Sequence, residues 1–167
     1  MKLDILLVDL ALVAAVVIPY ILFILLGKKE GRKLKTRFSE EMQKHDLSLS
    51  EEDSWNNSIV GLDKVRAMIL FVQKRKVDFA VEFIDLKEVR TCEIYTEMQT
   101  ISREQDSEDI LQKLGFQLKL NNGEFRFIEL YNCEESYAQD YELKHAERWK
   151  KTINDLINVR STLNSAA

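Results

Sequence analysis

A run of 22 residues, Ile5 to Leu26, contains a single charged residue, Asp9. A helix of that length reaches about 33 Å, which is enough to cross a hydrocarbon core of about 30 Å. Pro19 lies within the run, and proline is tolerated in membrane helices far better than in soluble ones. The run therefore predicts an N-terminal transmembrane anchor over residues 1–27.

Basic residues follow the run immediately, with six lysines and arginines in residues 28–37 against one acidic residue, Glu30. Because basic residues close to a membrane span stay on the cytoplasmic side, the N-terminus is predicted to lie outside and residues 28–167 in the cytoplasm. This pattern predicts a single-pass protein of the inner (cytoplasmic) membrane.

Residues 28–46 are predicted to form a basic amphipathic stalk that continues the membrane helix. Leu34, Phe38 and Met42 recur at a spacing of four, as on one face of a helix. The basic side chains of the stalk are expected to contact anionic lipid head groups. These side chains are Lys28, Lys29, Arg32, Lys33, Lys35 and Arg37.

A cleaved secretory signal is the competing interpretation of the N-terminus. Signal peptides carry an apolar region of about 7–15 residues and small residues before the cleavage site. Here the apolar run is longer, and no small residue stands three positions before Gly27. An uncleaved anchor is favoured, and a secreted ligand-binding barrel stays open as an alternative.

Charge is distributed unevenly between the two parts of the chain. Residues 1–37 carry 7 basic and 3 acidic residues, or +4, and residues 38–167 carry the other 17 and 25, or −8. A region of about 130 residues is long enough to close one hydrophobic core. Because an acidic domain without a basic stripe is a poor match for a phosphate backbone, no nucleic-acid partner is expected.

Beyond residue 47 the hydrophobic period changes to that of a β-strand. The clearest alternation places Cys92 and Ile94 on one side and Glu93 and Tyr95 on the other. Further along, Asn122-Gly123 separates two alternating runs, which is a strong hairpin signal. The sequence predicts six or seven antiparallel strands joined by short turns.

A C-terminal amphipathic helix is predicted from about Gln139 to Val159, where neither glycine nor proline occurs. Trp149, Ile153 and Leu156 fall on its apolar face and are expected to close one end of the sheet. Residues 161–167 are expected to form a flexible tail.

This order of elements resembles the pleckstrin-homology-like fold. The strand series from Ile59 to Tyr131 and the helix around Trp149 carry the resemblance, and such domains often have a tryptophan at this place in the helix. The chain is also similar to small bacterial membrane proteins with one N-terminal span and a cytoplasmic domain of this type. The resemblance implies an α+β domain over residues 47–160, an antiparallel six- or seven-stranded barrel capped by a C-terminal α-helix.

Members of that family often bind phosphoinositides through a basic loop between the first two strands. The resemblance therefore implies candidate anion contacts in two basic turns of this chain. The residues concerned are Lys64, Arg66, Lys74, Arg75 and Lys76.

The chemistry-bearing residues form no recognisable catalytic, metal or cofactor motif. His45 and His145 have no neighbours at metal-ligand spacing, and the acidic residues of 104–109 lack the glycine and glutamate of a calcium loop. Cys92 and Cys133 have no CxxC partner and are predicted to be free, buried thiols. No catalytic, cofactor or metal residue is predicted, and the chain is not expected to be an enzyme.

The predicted function is a non-enzymatic, membrane-anchored interaction module or an accessory subunit of a larger membrane protein complex. Its expected partners are membrane lipids and a protein. The alternative is a membrane-surface or lipid-sensing domain that uses the two basic turns.

Overall fold

The structure, a computed structural model, describes residues 2–103, 106–135 and 141–165, with the backbone alone at residues 2–11, 23–30, 101–103, 106–108 and 161–165. One long helix comes first, seven strands follow, and a second helix ends the chain. These elements are α1 (Lys2–Lys44), β1 (Glu51–Trp55), β2 (Ser58–Asp63), β3 (Met68–Lys74), β4 (Phe79–Asp85), β5 (Val89–Arg103), β6 (Asp106–Leu120), β7 (Phe125–Asn132) and α2 (Glu142–Ser165).

The strands form two antiparallel sheets in chain order, a four-stranded first sheet of β1 to β4 and a three-stranded second sheet of β5 to β7. Seven antiparallel strands and a C-terminal helix agree with the sequence prediction. The predicted closed barrel is wrong, since no ladder joins the two sheets in the described strands. Side chains bridge them instead: Gln73 Nε2 donates to the Leu130 carbonyl at 2.6 Å, and Arg126 pairs with Glu82 at 2.6 Å.

In the part of the chain that the structure describes, no helix offers an apolar stretch long enough to cross a membrane. On this finding the predicted transmembrane anchor and the predicted single-pass inner-membrane location are wrong. Within the predicted anchor, residues 2–11 and 23–27 are helical in their backbone, and their side chains lie outside the description.

The C-terminal part of α1 packs on one face of the first sheet. Leu34 and Phe38 are 5% and 2% exposed and form a hydrophobic cluster with Ile59, Leu70 and Val72 of β2 and β3. The helical spacing of four that predicted a stalk therefore marks a core-facing stripe. The close approach of α1 to β2 depends on Gly61, because a Cβ at that position would lie 2.8 Å from the Phe38 ring.

The main core lies on the other face of the first sheet, between that sheet, the second sheet and α2. Trp149 and Ile153 of α2 are 1% and 0% exposed there, and Leu156 packs against the cluster at its edge. The helix therefore fills the space between two open sheets rather than the end of a barrel. Its backbone continues to Ser165, and residues 166–167 of the predicted tail lie outside the described residues.

Asp63 is a buried carboxylate that holds the end of β2. Asp63 is 1% exposed, and its carboxylate accepts hydrogen bonds from the backbone N–H groups of Ser48 and Arg66, each at 2.9 Å. Burial alone would raise the pKa of Asp63, but the N–H donors of Arg66 and Ser48 outweigh it and hold the pKa below its ordinary value.

Replacing Trp149 with alanine should lower the free energy of unfolding by about 3–5 kcal/mol, because a fully buried indole leaves a large cavity. Trp149 Nε1 donates a hydrogen bond to Asp53 of β1 at 3.2 Å. Trp149→Phe loses this bond but keeps most of the buried ring, so a smaller loss of stability is expected. Urea unfolding measures both, with the exposed Lys151→Ala as the control. Equal losses for Trp149→Ala and Lys151→Ala would contradict the packing of α2.

Asp63→Asn should destabilise the protein at neutral pH by about 1–3 kcal/mol, because an amide N–H would face a backbone donor. Because folding lowers this pKa, the carboxylate stabilises the fold above the unfolded-state value near 4, and the contribution is lost as the pH falls through the lower folded-state value. Urea unfolding should therefore show a larger effect at neutral pH than in acid. The exposed Asp155→Asn is the control, and a pH-independent loss at Asp63 would refute the assignment.

Candidate interaction surface

The outer face of the second sheet carries three exposed aromatic side chains, here called the aromatic patch. Tyr95, Phe125 and Phe127 are 43%, 63% and 46% exposed. The Tyr95 and Phe127 rings meet edge to face, with centroids 5.6 Å apart and planes at 89°. The strand alternation that directs Cys92 into the core directs Tyr95 outward, as the sequence predicts.

A glycine in the middle strand holds the patch in place. Gly115 of β6 lies opposite Tyr95 in the ladder, and the Phe127 ring covers it so closely that a Cβ there would overlap the ring. The ring therefore lies against the sheet backbone while its other face stays in solvent. This arrangement limits the conformations of Phe127 before anything binds.

Ion pairs border the aromatic patch. Glu93 lies 2.5 Å from Lys150 of α2, and Glu97 lies 3.7 Å from Lys113 of the neighbouring strand. Lys150 has a raised pKa, chiefly because it donates a hydrogen bond to Glu93. The patch is thus an apolar surface with a charged rim, the composition of a protein-binding surface.

The β5–β6 hairpin extends beyond the rest of the second sheet. Its strands pair from Val89↔Leu120 to Arg103↔Asp106, whereas β7 pairs with β6 only over residues 113–119. The distal part, residues 98–103 and 106–112, is called the ribbon; the described strands leave both of its edges largely unpaired. Met98 on the ribbon is 53% exposed, and the alternation along β5 places it on the face opposite to Tyr95.

The structure separates the two basic turns in which anion contacts were expected. Lys64 and Arg66 lie before the first residue of β3, and Lys74 to Lys76 lie at its end. About 20 Å of strand therefore separates the two turns. Lys64 pairs with a Glu51 oxygen at 2.6 Å, and Arg66 pairs with Asp46 at 2.7 Å. In the other turn, Arg75 lies 3.6 Å from Glu129, and Lys74 and Lys76 also have partners.

The basic side chains of the predicted stalk are distributed around α1. Arg32 and Lys35 are exposed, and Lys33 has an interaction partner. Arg37 lies 2.7 Å from Glu41, a carboxylate that the helix buries against the sheet. The side chains of the remaining two, Lys28 and Lys29, lie outside the description, and lipid contact by this set stays a prediction.

Asp53 of β1 joins α2 through a cluster that the sequence analysis missed. One carboxylate oxygen lies 2.8 Å from His145 Nδ1, 3.2 Å from Trp149 Nε1 and 3.4 Å from Arg148. His145 also stacks on Trp55, with centroids 4.8 Å apart. In the sequence, this cluster could have been recognised from the spacing of residues 145, 148 and 149, which places them on one face of a helix. The described residues include no group of three metal-ligating side chains, so the cluster is assigned to packing of α2.

Cys92 and Cys133 are free thiols, as predicted, and differ in environment. Cys92 is fully buried, and burial together with Glu93 raises its pKa to about 12. Asn154 of α2 covers this edge of β5: its Oδ1 accepts from the Cys92 N–H at 3.0 Å, and its Nδ2 donates to the Cys92 carbonyl at 2.8 Å. Cys133 is only half-buried, with its Sγ 2.7 Å from Gln112.

An aromatic disulfide reagent should modify one thiol in the native protein and two in denaturant. Cys92 should resist, because the reactive thiolate is scarce at about pH 8 when the pKa is high and the sulfur is buried. Cys133→Ser should remove the native reactivity. Equal reaction rates of the two thiols in the native protein would contradict the burial of Cys92.

Comparisons with family models, with curated proteins and with solved structures find no match to this chain. The pleckstrin-homology-like resemblance therefore stays a prediction.

Proposed function

We propose that this chain is a non-enzymatic protein-interaction module that binds an extended segment of a partner protein. The observation that carries the proposal is the aromatic patch. Tyr95 and Phe127 are large apolar side chains held in contact on a surface that otherwise faces water. Contiguous exposed apolar side chains with a polar rim mark interaction sites, and tyrosine is among the residues that contribute most to binding energy.

The geometry of the patch favours binding at a low entropic cost. Gly115 leaves room for the Phe127 ring against the sheet, and the Tyr95 ring contacts it edge to face. A side chain that is already held in its bound position loses little freedom on association. Aromatic rings with only two side-chain torsions have the same advantage in other binding surfaces.

The ribbon favours an extended and basic partner segment. Its edges present backbone donors and acceptors to which a further strand can add. Residues 98–112 carry four acidic residues and one arginine, or −3, within a region that is itself acidic. An extended segment that alternates apolar and basic side chains would place the former on the aromatic patch and the latter beside the ribbon.

This proposal is compatible with an accessory subunit of a larger protein complex, in which the partner segment belongs to another subunit. The alternative of lipid sensing through the basic turns stays a prediction without a specific observation in its favour. Lys64 and Arg66 are engaged by carboxylates, and the second turn lies at the other end of β3.

Titration with a synthetic heptapeptide of alternating lysine and leucine tests the proposal. We expect amide and aromatic NMR shifts to change at Tyr95, Phe127 and the ribbon, with weaker changes for a glutamate–leucine peptide of the same length. Tyr95→Ala combined with Phe127→Ser should reduce affinity by at least about tenfold, the effect of losing one or two central side chains.

Val77→Ser is the matched control, because Val77 is also an exposed apolar residue, at 97%, but lies alone in a turn. Its variant should bind the basic peptide as the parent chain does. Shift changes spread over the surface without a maximum at the patch, or an equal loss in the Val77 variant, would refute the proposed binding surface.

A further inference from the structure

The last turns of α2 and two strand connections line a solvent-open cavity of roughly 350 Å³. Lys87 comes from the β4–β5 turn, Arg90 from the start of β5, Asn121 from the β6–β7 turn, and Ile157 and Arg160 from α2. None of the residues that line this cavity belongs to the aromatic patch or to the ribbon. The cavity is therefore a second feature, independent of the proposed interaction surface.

The charge of the cavity is opposite to that of the surrounding domain. Among the described residues, Lys87, Arg90 and Arg160 line it and no carboxylate does. These three side chains form no ion pair within the described ranges, whereas most other basic side chains of residues 47–160 do. The paired residues are Lys64, Arg66, Arg75, Lys113, Arg126, Arg148 and Lys150.

Arg160 carries a buried donor that no described residue satisfies. Its Nη1 atom is shielded from solvent and has no hydrogen-bond partner in the described part of the chain. A buried donor without a partner costs free energy that an incoming acceptor would recover, and more so for a charged group. An anion bound beside Arg160 would supply such an acceptor.

A β-bulge places Arg90 at the cavity. The ladder pairs Val89 with Leu120 and Thr91 with Lys119, so Arg90 is the extra residue between them. Such bulges redirect a side chain, and they are frequent beside functional sites.

The two turns at the cavity are joined before any ligand arrives. Asn121 donates from its Nδ2 to the Lys87 carbonyl and from its backbone N–H to the Glu88 carbonyl, both at 2.8 Å. The backbone of the two turns is thereby fixed before binding, which reduces the cost of ordering them.

The chemistry of the lining identifies the class of ligand. Two guanidinium groups bind planar or tetrahedral oxyanions through paired N–H donors, and three positive charges suit a dianion better than a monoanion. The rest of the lining is mixed, with three polar residues and the apolar Leu86, Val89 and Ile157, and the volume lies at the lower end of the range for small-molecule sites. We propose that the cavity binds a small organic phosphomonoester, with the phosphate at Arg90, Arg160 and Lys87 and the organic group against Ile157.

Calorimetry and thermal unfolding of the full chain with phenyl phosphate test the proposal. We expect saturable binding and a melting temperature that rises with ligand concentration, with benzoate binding more weakly. Arg90→Gln and Arg160→Gln should each weaken phenyl phosphate binding by at least about tenfold, the value of a hydrogen bond to a charged group. Without ligand, Arg160→Gln should not lower the melting temperature, because it removes an unsatisfied donor.

Lys151→Gln on α2 is the matched control, since it removes the same charge at an exposed site outside the cavity. It should leave the affinity within about twofold, as expected of a screened surface charge. Vesicles containing phosphatidic acid offer the same phosphomonoester on a lipid. Binding to these vesicles without a response to phenyl phosphate, no saturable response to either, or an equal loss in Lys151→Gln would overturn the proposal.

Discussion

Burial of the first sheet on both faces is the constraint on which the rest of the structure depends. All six residues of β2 and five consecutive residues of β3 are buried, so these strands need cover on two sides. The main core covers one side and α1 covers the other. Burying a large apolar side chain contributes about 1.5–3 kcal/mol, so Leu34 and Phe38 make α1 an integral part of the fold.

The second sheet has a different relation to solvent. One face enters the main core, and the other carries the aromatic patch. Its β5 edge is closed at Cys92 by the Asn154 amide, which replaces the missing neighbouring strand. Beyond the reach of α2 and β7 the same hairpin continues as the ribbon. Both proposed sites therefore lie where the packing of the core ends, one on the outer face of a sheet and one beside the last turns of a helix.

Local patterns predicted the elements well because strands and helices each impose a characteristic spacing on the apolar residues. The alternation around Cys92, the Asn122-Gly123 turn and the apolar face around Trp149 all correspond to observed elements. The same patterns do not indicate which element each face packs against. The spacing of Leu34 and Phe38 is that of any amphipathic helix, and only the continuous burial of β2 and β3 reveals that this helix covers a sheet.

By itself, the sequence indicated six or seven antiparallel strands and their order, and it determined the C-terminal helix, the buried tryptophan and the free thiols. Tertiary structure decided that no ladder joins the two sheets in the described strands. It also decided that the two basic turns lie at opposite ends of β3, and that Lys87, Arg90 and Arg160 line one cavity. Periodicity reports how side chains alternate along one element over a few residues. Which surfaces meet depends on burying the total apolar area of the chain, and that competition involves residues far apart in sequence.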